Sequence, residues 1–286
     1  METGNKLSAS SLIKQDLHLL PDNQRDLVSP GQTCFVNIAR NGIQTLRRDA
    51  NFKMNEFSSF KFPHSLDDVR WTDYVKSTIE SEKFKALTES SNTIFLIEDS
   101  KALLMPQALH SKESAKTNFE FLFGVSANTE LVSTDIQSLG AVAIYSVPVS
   151  LSKLIKTPIQ CGFVNWLSLI ANTSGTSVKC HISETQFALV ITDGENLLFS
   201  NWFTYQKADD VLYFFMATLE TQKILHSKIE LTLSGEVNKG DEIHSSLTKF
   251  ISKISFANRP KNLDYSYSIK SSSEHQFPFI FASACV

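Results

Sequence analysis

Glycine is scarce in this chain: ten among 286 residues, at 4, 31, 42, 124, 140, 162, 175, 194, 235 and 240, each isolated from the next. Phosphate loops of the Walker or dinucleotide type need closely spaced glycines, so that several backbone amides can converge on an anion. Neither loop can be built here. Cysteine is just as thin: Cys34, Cys161, Cys180 and Cys285 show no CxxC spacing, which argues against a thiolate zinc site or a disulfide scaffold. Cys34 and Cys180 lie in apolar strand-like runs and read as small core residues. The seven histidines include no HxxxH pair, and no GxSxG elbow occurs. No stretch reaches the ~18 apolar residues of a membrane span. The first thirty residues lack the apolar run of a signal peptide, so a cytoplasmic protein is expected, although Asn172-Thr173-Ser174 is formally a glycosylation sequon. Basic residues are not clustered either. With 27 basic and 30 acidic side chains the net charge is -3, and the densest basic spot is Arg40, Arg47 and Arg48. Nucleic-acid binding, which needs several phosphates neutralised from one face, is not expected.

Strand and helix signals are abundant. TCFVNIARNGIQTLRR alternates and then turns at Asn41-Gly42, the strongest short hairpin signal. NFKMNEFSSFKF adds a third extended segment. Leu17, Leu19 and Leu20 suggest an edge strand ahead of them. Ser65, Asp67 and Asp68 open a helical pattern through Val69, Tyr74 and Ile79. TIFLIED, ALLMP, ELVSTDI and AVAIYSVP read as strands, with a helix-like stretch over 107–123 and a short helix after Pro148. In the second half VKCHISE, TQFALVITD and ENLLFSNWFTY form another meander. Its middle strand is apolar on both faces and therefore expected to be covered on both sides. Helices are expected over 207–222 and 241–255, with the strand KIELTLSGEV between them. A Ser-rich loop then precedes the apolar tail FPFIFASACV.

Each half thus runs meander, helix, strand, helix. The expected architecture is a duplicated α/β fold with mixed sheets: an extension over 1–30, a first lobe over 31–160 and a second over 161–286. That order is also the order of the actin-like ATPase fold, a pair of ribonuclease-H-like lobes. Local strings go further. NWFTYQKADDVLYFF followed by LTLSGEV, together with LLMPQAL, YSVPVSL and FANRP, resembles an uncharacterised bacterial family of domains of unknown function. The resemblance covers roughly 31–286 and implies the actin-like fold, with no assigned activity.

Measured against what an active ATPase of that fold requires, the matching positions are depleted. Such enzymes carry an acid followed two positions later by glycine in the first hairpin of each half, to hold phosphates and position magnesium or water. The first hairpin reads Ala39-Arg40-Asn41-Gly42, with Arg40 in the acid's place. An arginine can pair with an oxyanion but cannot hold magnesium or act as base, and its plainest role is an exposed residue beside a turn. The second hairpin, Ile182-Ser183-Glu184-Thr185, keeps an acid without the glycine. Asp193-Gly194 would take that role only if the register were one strand off. The adenosine element, Leu233-Ser234-Gly235-Glu236, keeps one glycine of its pair. The resemblance therefore implies an inter-lobe cleft formed by Arg40, Asn41, Gly42, Ser183, Glu184, Asp193, Gly194, Ser234, Gly235 and Glu236. No catalytic or metal-binding residue is assigned. Asp67-Asp68 and Asp209-Asp210 are explained by helix dipoles.

Two functions compete. One is a non-catalytic binding or scaffold protein on a degenerate actin-like fold, with no cofactor. The other is a divergent ATPase or kinase that still takes ATP and magnesium. A third, weaker reading is an assembling relative of actin. The partner is unknown. The 21 phenylalanines, some in FEFLF and FPFIF, favour a protein, and a monomer without membrane or nucleic-acid contacts is expected.

Overall fold

The computed structural model describes residues 14–22, 31–63, 66–88, 92–98, 101–124, 127–170, 175–194 and 196–285. The sequon at 172–174 and most of the 1–30 extension lie outside them. The elements of the first half are β1 (Lys14–Leu19), β2 (Thr33–Ala39), β3 (Gly42–Arg48), β4 (Lys53–Lys61), α1 (Asp68–Ile79), α2 (Glu82–Thr88) and β5 (Asn92–Ile97). There follow β6 (Ala102–Pro106), α3 (Lys112–Phe123), β7 (Thr129–Ile136), β8 (Ala141–Pro148), α4 (Val149–Leu154), β9 (Ile159–Cys161) and α5 (Gly162–Ile170). The second half contributes β10 (Thr176–Ile182), β11 (Gln186–Asp193), β12 (Asn196–Thr204), α6 (Ala208–Thr221), β13 (Leu231–Gly235), α7 (Glu242–Thr248) and β14 (Ile254–Phe256). The chain then runs through β15 (Asp264–Tyr265), α8 (Tyr267–Lys270) and α9 (Pro278–Ser283).

Two sheets share one plan. In the first, the strands lie in the order β1-β4-β3-β2-β5-β9; in the second, β12-β11-β10-β13-β14. In both, an antiparallel meander is followed by a parallel pair on the far side of its first strand. The Asn41-Gly42 turn sets the register of β2 against β3, with Ala39 opposite Gly42. The expected edge strand is β1, paired antiparallel with β4. Between β5 and β9 the first half inserts a separate three-stranded sheet, β6-β8-β7, with α3 packed against it through Ala115 and Phe119.

Three local expectations shift. Helix α1 is capped by Asp67, whose side chain accepts from the Arg70 amide, and it buries Trp71, Val75 and Thr78. Val69 is 73% exposed, so the buried stripe is not the one that runs through it. The stretch 107–123 is a 3-10 turn followed by α3, which starts at a Ser111 capping box. The helix expected over 241–255 stops at Thr248, and Ile254 enters β14.

The cores explain the layering. Alternate residues of β11 face opposite ways, as expected. Phe187, Leu189 and Ile191 pack with Val211, Phe215 and Leu219 of α6, while Ala188 and Val190 face α5 and the first core. The tail FPFIFASACV is α9, and it returns to the first sheet. Phe279 and Ala282 enter the first core; Ile280 and Phe281 join Phe35, Leu46, Met54 and Phe57 on the sheet's other face. β15 also pairs with β4, Asp264 opposite Lys53. Residues assigned by chain order to the second lobe thus complete the first sheet.

The three basic residues of the first hairpin are dispersed. Arg40 is exposed and pairs with Asp68 at 2.7 Å, Arg47 is buried against Glu56 at 3.2 Å, and Arg48 donates to the Ala284 carbonyl at 2.9 Å. None of the four cysteines is in a disulfide.

Candidate inter-lobe cleft

In open α/β sheets, ligand crevices form outside the carboxyl ends of strands where the strand order reverses. Both sheets reverse between the meander and the parallel pair, and both reversal points open onto one cleft. β2 and β5 end together, Ile38 beside Ile97; β10 and β13 end together, Ile182 beside Gly235. The cleft between them has a volume of about 600 Å³.

The first-sheet side is a polar chain. Asn37 Nδ2 donates to Gln44 Oε1 at 2.7 Å and to Glu98 Oε2 at 3.0 Å. The other Glu98 oxygen accepts from Ser183 Oγ at 3.4 Å and lies 3.8 Å from His181 Nε2. On the second-sheet side, His181 Nδ1 is 3.1 Å from Ser234 Oγ. Tyr205 donates to the Ser183 carbonyl at 2.7 Å. Burial pushes the Tyr205 phenol up to about 12, so it remains a donor.

Glycine is required at two positions by contact. A Cβ on Gly42 would lie 2.1 Å from the Phe60 carbonyl oxygen. At Gly235, with φ +86°, it would lie 2.0 Å from the Ile182 oxygen and 2.8 Å from the His181 ring. Gly235 therefore seats β13 against β10. Its amide donates to the His275 carbonyl at 2.7 Å, and the Glu236 amide to the Ile182 carbonyl at 2.7 Å. The Ser183 amide is engaged likewise, to the Gln186 carbonyl at 2.8 Å.

Four carboxylates line the cleft, Asp16, Glu98, Glu184 and Glu236, together with one lysine, Lys61, which pairs with Asp16 at 3.2 Å. Glu236 stands at the rim, open to solvent on one side. Desolvation by the protein on its other side raises its pKa, and the charges of Glu184 and Glu98 raise it further. Asn41 Nδ2 donates to Glu236 Oε1 at 2.7 Å across the mouth. Among the described residues, no three His, Cys, Asp or Glu side chains form a group able to hold a metal ion.

Of the ten residues expected at the cleft, Asn41, Gly42, Ser183, Glu184, Gly235 and Glu236 line it. Ser234 sits one layer behind, bonded to His181. Arg40 turns outward, its guanidinium 4.9 Å from the Trp71 ring centroid. Asp193 and Gly194 form the β11–β12 turn at the opposite end of the second sheet, with Asp193 opposite Thr176 rather than near Ile182. The register expected from the sequence, without the one-strand shift, is therefore the observed one. Asn37, Gln44, Glu98 and His181 were not expected. Each belongs to, or directly follows, a strand that reads as core. Only the acid immediately after TIFLI signalled the end of a buried parallel strand.

Duplicated sheets of this strand order, facing one another across a cleft, define the actin-like ATPase fold, and solved structures agree. A protein of unknown function with that fold from Bacteroides thetaiotaomicron VPI-5482 superposes with a TM-score of 0.70 at 15% identity, covering 80% of this chain and 91% of the other. A chain of the PilM–PilN type IV pilus biogenesis complex gives 0.65 at 12% identity, covering 90% and 98%. Residues 34–254 match the model of a family described as protein of unknown function (DUF3822), and the chain belongs to that family. No curated protein matches it in sequence. Among the described residues, no helix is long and apolar enough to cross a membrane.

Proposed function

We propose that this chain is a non-catalytic binding protein whose inter-lobe cleft receives a cationic group from a protein partner. The observation that carries the reading is the lining: four carboxylates against one lysine, which is paired with Asp16, and the amides of Ser183, Gly235 and Glu236 already engaged by carbonyls. A polyphosphate needs free amides and positive or metal-neutralised surroundings. This cleft offers it a net negative lining instead, because Lys61 is already paired with Asp16. A Lys or Arg side chain meets acceptors suited to it. Support for a protein partner comes from the related fold in the PilM–PilN complex.

Calorimetry tests the reading. ATP with magnesium should produce no saturable heat up to about 1 mM, in the weakest range of specific affinity. A short Lys/Arg peptide should bind, and the triple change Glu98→Gln, Glu184→Gln and Glu236→Gln should remove that binding. Saturable ATP binding, or peptide binding unaffected by the triple change, would overturn it.

A further inference from the structure

A second cavity, of about 250 Å³, lies behind the cleft on the same side of the second sheet. Its floor is β10 and β13, where Lys179 stands directly beside Thr232. One wall is apolar, formed by Trp166, Leu169 and Ile170 of α5. The other carries Arg259, from the loop after β14. The ring group of His181, Trp166 and Phe279 packs at this part of the lobe interface, and Pro278 borders both spaces.

The cavity is cationic in an unusual way. Arg259 is only 7% exposed. Its Nη2 is engaged by Ser272 and Ser273 oxygens at 2.6 to 3.3 Å, and its plane stands near the Tyr265 and Phe281 rings. Its Nε is buried with no hydrogen-bond partner. Lys179 donates to Ser177 Oγ at 2.7 Å. Among the described residues no carboxylate lies within ion-pair distance of it, and burial alone lowers its pKa. Arg259 is buried and Lys179 half-buried, and a cation withdrawn from water is ordinarily paired, because otherwise it forfeits hydration without return. Glu274 also borders the cavity; it is solvent-exposed and its charge acts on Arg259, leaving the charge of Lys179 in excess. We propose that this cavity binds a small organic monocarboxylate with an apolar body, its carboxylate held between Lys179 and Arg259 and its body against Trp166, Leu169 and Ile170. The volume equals that of about eight waters, so a ligand of benzoate's size is an appropriate probe.

Calorimetry with the full chain, supported by quenching of Trp166 fluorescence, tests this. Benzoate should saturate with a Kd of about 1 mM or tighter, within what nine non-hydrogen atoms allow. Benzamide, which has the same shape without the charge, should bind at least tenfold more weakly. Lys179→Met should weaken benzoate binding at least tenfold. So should Leu169→Trp, which fills the space and leaves both cations in place. Inorganic phosphate should bind more weakly than benzoate, because it makes no use of the apolar wall. No saturation by about 20 mM benzoate, well past the weakest specific affinity, would overturn the proposal. So would phosphate or benzamide binding equal to benzoate, or unchanged affinity in a folded Lys179→Met or Leu169→Trp variant.

Discussion

Asn41 Nδ2 donates to Glu236 Oε1 at 2.7 Å, joining two side chains 195 positions apart across the mouth of the cleft. One partner sits on the first hairpin turn and the other just after β13, so the bond links the ends of both reversal points. It is exposed to water, which limits its worth. Asn41→Ala should cost about 1 kcal/mol or less in urea denaturation. A loss above about 2 kcal/mol would mean that Asn41 holds more than this bond.

Glu236→Gln should behave differently, because glutamine keeps the acceptor for Asn41 and removes the repulsion from Glu184 and Glu98. The raised pKa of Glu236 means that the folded chain holds this proton more tightly than the unfolded one. The stabilisation this gives is complete below the ordinary value of 4.5 and is lost as pH rises through the folded value. The variant should therefore match the wild type in acid and exceed its melting temperature at neutral pH. Thermal scans at several pH values check this, and equal melting temperatures at pH 7 would refute the repulsion.

Much of the cleft was legible because turns advertise themselves. Asn41-Gly42 fixed one hairpin by its chemistry, and the order of elements placed Gly235 at the end of a strand. Glu98, His181 and Asn37 were not legible, since a single polar residue within or after an apolar run looks the same whether it faces a core or a cleft. Only the pairing of β2 with β5, and of β10 with β13, brings them together. Helix α5 is illegible for a related reason: GFVNWLSLI is a nine-residue, mostly apolar and mostly buried run, and a run that short and apolar reads as readily as a buried strand. Asp193-Gly194 has the same turn chemistry as Asn41-Gly42, and only the strand register separates their places.

Two glycine substitutions should separate contact from conformation. Gly235→Ala meets the Ile182 oxygen at 2.0 Å and should destabilise by more than about 3 kcal/mol, a left-handed penalty of about 1–2 kcal/mol plus a backbone clash. Gly194→Ala has φ +58° and open space, so only the conformational term of about 1–2 kcal/mol applies. Chemical denaturation of both variants measures the difference. Equal losses would show that the close approach at Gly235 is relieved at no cost.

Phe279 is 2% exposed and meets the rings of Phe163, Trp166, His181 and Trp202. Phe279→Ala should cost about 3–5 kcal/mol, with Phe279→Leu in between. A loss under about 1 kcal/mol would show that α9 is not integral to the first core.

The return of β15 and α9 to the first sheet also sets an order of events during synthesis. The sheet translated first remains uncovered on one face while the whole second sheet is being made. It closes only when residues 278–283 arrive. Until then Phe35, Leu46 and Phe57 have no lid, and the nascent chain carries an uncovered apolar sheet face, a site of aggregation, almost to the end of its synthesis.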